Sequence, residues 1–181
     1  MKVIETALPG VLVLEPRVFG DERGVFYETY NEARMRSLGL PVGWRQDNVS
    51  VSRAGVVRGI HYQIGQPQGK LVRVAAGAAL DVVVDLRRSS AAFGKHVAIE
   101  LSGDVARMVW IPEGFGHGFA ALSEHVVLNY KVTDYYSPTA ERTVLWNDPE
   151  LGIDWRLGVA EAIVSAKDRV GTPLRLAEVF D

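Results

Sequence analysis

Cysteine is absent from this 181-residue sequence. Its absence excludes disulfides, thiolate nucleophiles and cysteine-ligated zinc, and it fits a cytoplasmic setting comfortably. No apolar run approaches the ~18 residues of a membrane span. The stretch from Met1 to Thr6 also lacks the apolar core of a signal peptide. A cytoplasmic, soluble protein without a membrane partner is therefore expected. Excess charge of either sign is missing too: 20 Lys and Arg against 22 Asp and Glu leave a net charge of -2. That balance excludes a general electrostatic grip on nucleic acid, so any anion must be bound locally. Repeats, low-complexity tracts and βαβ alternation are likewise absent, and the eight prolines sit at segment ends instead of in one linker. One domain spanning 1–181 is expected, long enough to bury about 70% of its unfolded surface.

What the chain does contain is β-pattern. Segments that alternate, or run apolar with β-branched residues, and stop at glycine or proline predict strands at 11–14, 71–74, 80–86, 96–101, 105–111, 116–122 and 126–133. Many short strands at turn-punctuated spacing indicate a sandwich or barrel. Helical signals are sparse. Residues 31–39 fit one short helix, with Asn31 as N-cap and Gly39 as the stop. Within Asp81-Val82-Val83-Val84-Asp85, the period of two puts Asp81, Val83 and Asp85 on one face. On this pattern that face is either wet, or a polar lumen in which Asp81 partners a histidine, because a lone buried charge is costly.

The chemistry concentrates in Arg58-Gly59-Ile60-His61-Tyr62-Gln63, closed by Gly69-Lys70. Imidazole, with an unperturbed pKa of about 6.5, suits proton transfer near neutrality, and the flanking cations suit an anionic substrate. Further on, Pro112-Glu113-Gly114-Phe115-Gly116-His117 resembles the second motif of cupin jelly rolls, whose turn feeds a strand carrying a histidine toward the lumen. The first cupin motif normally supplies H-x-H and a glutamate. Here the matching stretch reads His61-Tyr62-Gln63, with Pro67 and Gln68 where the glutamate belongs. Two histidines and a glutamine make a poor ligand set. The expected fold is thus mainly β, a cupin-like jelly-roll barrel or sandwich with a few short helices, without metal or cofactor. His96 and His125 have no metal-like spacing and read as surface or packing residues. Without a metal, a developing anion must be stabilised by protein cations and hydrogen-bond donors. Lys70 and Arg58 stand beside His61 in sequence for that role. His61 reads as the base that takes a proton next to a carbonyl, and Tyr130, in the strand-like 128–133 segment, as the acid that returns one.

Taken in order, the motifs resemble one family, the dTDP-4-dehydrorhamnose 3,5-epimerases, cofactor-independent cupin-like enzymes of deoxysugar biosynthesis. The matching pieces are Phe19-Gly20-Asp21-Glu22-Arg23-Gly24 with Phe26 and Glu28, Gln46-Asp47-Asn48-Val49-Ser50, and the Arg58 to Lys70 motif. They continue with the 81–87 strand, Ile111 to Phe119, Tyr130 to Pro138, Trp146-Asn147-Asp148-Pro149 and Ser165-Ala166-Lys167-Asp168. The resemblance implies His61 as base, oriented by Asp168, Tyr130 as acid across the sugar, and Lys70 near the enolate oxygen. It further implies that Arg23, Phe26, Glu28, Gln46, Asp47, Asn48, Arg58, His117, Glu141 and Lys167 bind a dTDP-4-keto-6-deoxy-hexose, with Tyr136 stacking on the thymine. A homodimer is implied as well, the Arg23 to Glu28 segment completing the neighbouring site. The implied reaction inverts carbons 3 and 5 of dTDP-4-dehydro-6-deoxy-D-glucose to give dTDP-4-dehydro-L-rhamnose. A mono-epimerase, an epimerase of another dTDP-4-keto-deoxysugar, a ketoisomerase and a non-catalytic nucleotide-sugar-binding cupin are the alternatives. Departures from the family pattern are Gly116, where alanine is common, and the tail from Arg169 onward, which carries no assigned role.

Overall fold

The computed structural model describes residues 1–158 and 161–181. The chain opens with β1 (Lys2–Glu5), β2 (Leu12–Glu15), β3 (Val18–Asp21) and β4 (Gly24–Tyr27), followed by α1 (Glu32–Ser37). The long central run comprises β5 (Gln46–Ser52), β6 (Val56–Gln63), β7 (Lys70–Ala76), β8 (Ala78–Asp85) and β9 (His96–Ser102). It continues with β10 (Met108–Ile111), β11 (Phe115–Ala121), β12 (Val126–Val132) and β13 (Glu141–Thr143). Short β14 (Ile163–Val164), α2 (Ala166–Arg169) and a single 3-10 turn (Leu174–Leu176) complete it.

The expected helix forms as anticipated: Asn31 Oδ1 accepts the Arg34 N–H at 3.0 Å, and Gly39, at φ +70°, leaves the helical path. The strand expected at 105–111 is shorter, because the turn after Ser102 carries through Val105 and pairing begins only at Met108.

Two sheets result. One has the order β1-β2-β10-β7-β12-β5, and the other β13-β6-β11-β8-β9 with β14 alongside β6. Every pairing between strands is antiparallel except that of β14 with β6. From β5 to β13 the chain switches sheet at each step except between β8 and β9. This alternation makes the fold a cupin-like jelly-roll sandwich. Among the described residues no strand hydrogen-bonds across to close a barrel.

The sheets pack face to face over Val13, Val72, Val83, Val109, Phe115 and Leu128, all at most 7% exposed. The outer face of the second sheet is covered by the C-terminal third of the chain, where Trp146, Trp155 and Leu174 pack on Leu80, Val82 and Val84. The tail that carried no assigned role is therefore a structural cover. Its Glu178 carbonyl accepts the Tyr62 hydroxyl at 2.6 Å, and the Phe180 ring lies 5.9 Å from that of Tyr62. β8 is consequently buried on both faces. Asp81 and Asp85 are 0% exposed, which excludes a wet face for that strand. Asp85 accepts from Arg87 Nε, Nη2 and backbone N–H and from the Ser90 hydroxyl. The β3–β4 hairpin pairs only with itself and carries exposed Phe19, Val25 and Phe26. Among the described residues no helix is long and apolar enough to cross a membrane.

One close approach positions the lumen. Gly59 on β6 has φ +127°, and a Cβ there lands 2.5 Å from Gly118 Cα and 2.9 Å from the His117 carbonyl oxygen. Backbone contacts of that kind cannot yield as a flexible side chain does. Gly59→Ala is expected to destabilise the protein by about 3 kcal/mol through combined φ strain and overpacking. A urea midpoint within error of the wild type would show that the approach is not a constraint.

Candidate active site

β6 and β11 are paired so that His61 lies directly opposite His117. Paired residues of an antiparallel ladder share a face, and both imidazoles open onto one cavity of about 300 Å3 between the sheets. The facing wall comes from the first sheet, where Lys70 (β7), Val132 (β12) and Gln46 (β5) form one cross-strand row and Val72, Tyr130 and Asn48 the next.

Each histidine is backed by a buried carboxylate. His61 Nε2 lies 2.6 Å from Asp168 Oδ1, and Asp168 is 2% exposed. α2 delivers this carboxylate: Ser165 caps the helix by accepting the Asp168 N–H at 3.1 Å, and the Gly59 N–H donates to Asp168 Oδ2 at 3.4 Å. His117 Nε2 lies 2.7 Å from Asp81 Oδ1, so the polar-lumen reading of Asp81 is the one realised. Burial alone raises the Asp168 pKa. The hydrogen bond and charge of His61, the Gly59 N–H and the charge of Lys167 outweigh it, leaving the carboxyl below its usual value.

Lys70 is 6% exposed, and burial pushes its pKa down to about 8, with the Asp81 charge acting in the opposite direction. Burial raises the Tyr130 phenol; Arg58 opposes that shift and Glu141 adds to it. Tyr130 therefore keeps its proton at neutral pH and has one to give. Arg58 lines the lumen, its Nε donating to Ser52 Oγ at 3.2 Å. At the rim, Glu141 receives the Tyr136 hydroxyl at 2.9 Å and Lys167 Nζ at 2.6 Å, while Gln46 Oε1 accepts the Tyr136 N–H at 2.6 Å.

The expected residues thus divide into three sets. His61, Lys70, Tyr130, Arg58, His117, Tyr136 and Glu141 line one cavity. Asp168 and Lys167 support it through His61 and Glu141, and Gln46 and Asn48 flank it. Asp47 lies one residue out of phase, its carboxylate on the outer face with Lys131 Nζ at 2.6 Å. Arg23, Phe26 and Glu28 are outside the cavity. Arg23 is paired with Asp21 on the exposed hairpin, and Glu28 with Arg34 of α1 at 3.1 Å.

Two glutamines that the sequence offered only as poor substitutes for metal ligands have a supporting part. Gln63 donates to the Gln66 and Tyr135 carbonyls and accepts the Ser137 N–H at 2.8 Å, and Gln68 donates to the Asp134 carbonyl at 2.8 Å. They pin the loop that presents Tyr136. With Gln63 so committed, both Nε2 atoms engaged by carboxylates and an ammonium in the lumen, the donor set does not suit a divalent ion.

A carboxylate-backed imidazole on one wall and a protonated phenol on the other can remove and return protons on opposite faces of a bound carbonyl compound. Sandwich and lumen together define a cupin-like epimerase. Comparison with known proteins narrows this. The model of the dTDP-4-dehydrorhamnose 3,5-epimerase family matches residues 5–175. An enzyme of that name from Pseudomonas aeruginosa is 51% identical over 181 residues, covering 99% of each chain. A crystal structure of a dTDP-6-deoxy-D-glucose-3,5-epimerase from Legionella pneumophila, in complex with dTDP-4-keto-L-rhamnose, superposes with TM-score 0.94 at 45% identity, covering 98% of this chain and 94% of that one. A 3'-monoepimerase from Streptomyces bikiniensis in complex with dTDP-quinovose follows at TM-score 0.87 and 32% identity, covering 94% of this chain and 86% of that one. The chain belongs to the dTDP-4-dehydrorhamnose 3,5-epimerase family.

The Asp168 pairing has a pH signature. A carboxyl whose folded pKa is depressed contributes stability that is present above its unfolded value and lost as pH falls through the folded one. Asp168→Asn is therefore expected to cost about 2 kcal/mol at pH 7, with the gap to wild type narrowing once pH drops below about 3.9. Urea titrations at a series of pH values measure it, and a gap that stays constant into acid contradicts the assignment.

Proposed function

We propose that this enzyme inverts carbons 3 and 5 of dTDP-4-dehydro-6-deoxy-D-glucose to give dTDP-4-dehydro-L-rhamnose by acid–base proton transfer without a metal or cofactor. The observation that carries the reading is the presence of His61 and Tyr130 on opposite walls of one cavity that also holds the buried Lys70. The 4-keto group acidifies the protons on both neighbouring carbons. His61, its Nε2 held by Asp168, uses its remaining ring nitrogen to take a proton, and Lys70 balances the enolate oxygen as charge develops there. Tyr130 returns a proton from the other face. A ring flip between steps lets one acid and one base serve both centres.

Arg58, Gln46, Asn48, His117, Glu141 and Lys167 bind the nucleotide sugar in this reading, and the exposed ring of Tyr136 stacks on the thymine. Asp47, with its carboxylate turned outward to Lys131, contributes through its main chain. The apolar faces of Phe19 and Phe26, exposed by 49% and 70%, support a homodimer in which the hairpin brings Arg23, Phe26 and Glu28 to the neighbouring site. The whole chain, 1–181, acts as one domain. A cytoplasmic location agrees with the cysteine-free composition, and the net charge of -2 agrees with the absence of a nucleic-acid partner.

The test is to incubate metal-stripped protein with the substrate in deuterated water and follow the sugar by NMR. Deuterium at carbons 3 and 5 with rhamno-configured product is expected. Incorporation at one carbon alone means a mono-epimerase, and none returns the chain to a binding role. His61→Ala is expected to lose exchange at both carbons. Tyr130→Phe should retain wash-in yet form inverted product about 10² to 10⁴ times more slowly; turnover at the wild-type rate sinks the acid assignment. Because Lys70 must be an ammonium to steady the enolate, kcat is expected to fall as pH rises through about 8.

A further inference from the structure

Asp81 takes no part in the proton transfers proposed above. Asp81 on β8 is 0% exposed, and while its Oδ1 meets His117 Nε2 at 2.7 Å, its Oδ2 is buried with no hydrogen-bond partner. A carboxylate with half its acceptor capacity unmet is expensive inside a protein and persists only where nearby positive charge compensates it. The positive charge is across the sandwich. Lys70 is itself buried, and among the described residues no carboxylate lies within 4.0 Å of its ammonium. Other groups reach the same cavity: His61 and Arg58 from β6, His117 from β11, Tyr130 from β12 and Glu141 from β13, with Tyr136 at its rim. Tyr62, on β6, turns its hydroxyl away to Glu178. Glu141 is already engaged by Lys167 and Tyr136, and Asp168 by His61 and Gly59. Among the described residues Asp81 is the carboxylate whose charge acts on Lys70 against the loss of its proton.

We propose that Asp81 is a positioning residue for the epimerisation: one carboxylate oxygen fixes the ring orientation of His117, and the other supplies the counter-charge to the Lys70 ammonium across the lumen. Neither oxygen touches the sugar. The oxyanion site is then a three-part unit, Lys70–Asp81–His117, in which a single anion orients the imidazole and balances the ammonium at the place where negative charge develops. This rests on the epimerase reading of the cavity and adds to it a residue that acts through the groups contacting substrate.

The sign of the effect on acidity follows from charge. An anion near an ammonium favours the protonated form, so removing the anion lets Lys70 lose its proton at lower pH. Asp81→Asn keeps size and an acceptor for His117 while deleting the charge. It is expected to lower kcat on the order of 10²-fold with little change in KM, and to move the alkaline limb of the kcat profile toward acid by on the order of one pH unit. A purely structural role leaves that limb where it was. His117→Gln provides the second arm, since it removes the imidazole but leaves the Asp81 charge to Lys70; its alkaline limb is expected not to move acidward.

The experiment measures kcat and KM from pH 6 to about 10 for wild type and both variants, with deuterium wash-in by the wild type as reference; the upper bound brackets the ordinary lysine range. An unshifted limb in Asp81→Asn, or an equal acidward shift in His117→Gln, overturns the proposal while wild-type exchange keeps the epimerase reading intact. Absence of wild-type exchange overturns both.

Discussion

Two carboxylates buried behind two imidazoles are the constraint on which the rest of the site depends. Asp168 and Asp81 are each at most 2% exposed, and an unpaired charge at that depth is not tolerated. Each must therefore find a partner, and the partner in each case is a histidine on neighbouring strands β6 and β11. The pairing fixes ring orientation, commits Nε2 and leaves the opposite edge of each ring available. It also ties four elements of distant sequence, β6, β8, β11 and α2, into one wall. The energetic demand of hiding the carboxylates and the geometric demand of aiming the imidazoles are met by the same contacts.

The sheet-switching path of the chain supplies the opposite wall. Because β5, β7 and β12 belong to one sheet and β6, β8 and β11 to the other, successive strands deliver side chains alternately from the two sides of the lumen. Lys70 follows His61 closely in sequence yet faces it across the cavity. The lumen therefore has an ammonium on one wall opposite imidazoles on the other. Burial makes that ammonium easier to deprotonate, so the feature that strengthens its field also narrows the pH range over which it acts.

Much of this was legible in local pattern. The strand-rich architecture, the Asn31-capped helix, and the Arg58–Gln63 and Pro112–His117 motifs all declare themselves through period, capping chemistry and turn residues. The 105–111 strand was read too long because the apolar pattern runs on where a turn interrupts it. Beyond the reach of local pattern lay the pairings. Asp168 and His61 are 107 residues apart and Asp81 and His117 are 36 apart, and no periodicity encodes which carboxylate reaches which ring. Asp168 entered through family resemblance, whereas Asp81 could only be left between wet face and polar lumen. Gln63 read as a failed metal ligand and proved to be a loop clamp, because an amide's donor and acceptor match backbone better than an ion.

The meeting of β6 and β11 at Gly59 and Gly118 has a bearing on how such a catalyst can change. The separation of the two imidazoles is set by atoms that are missing: a methyl at 59 or 118 strikes the facing backbone. A distance determined by absence cannot be tuned in small increments, since the first increment already collides. Divergence toward a different sugar, or toward one inverted carbon instead of two, is therefore channelled away from the histidine wall. It must be written on the β5–β7–β12 side, where side chains such as Asn48, Ser50 and Leu128 can be exchanged without moving a backbone.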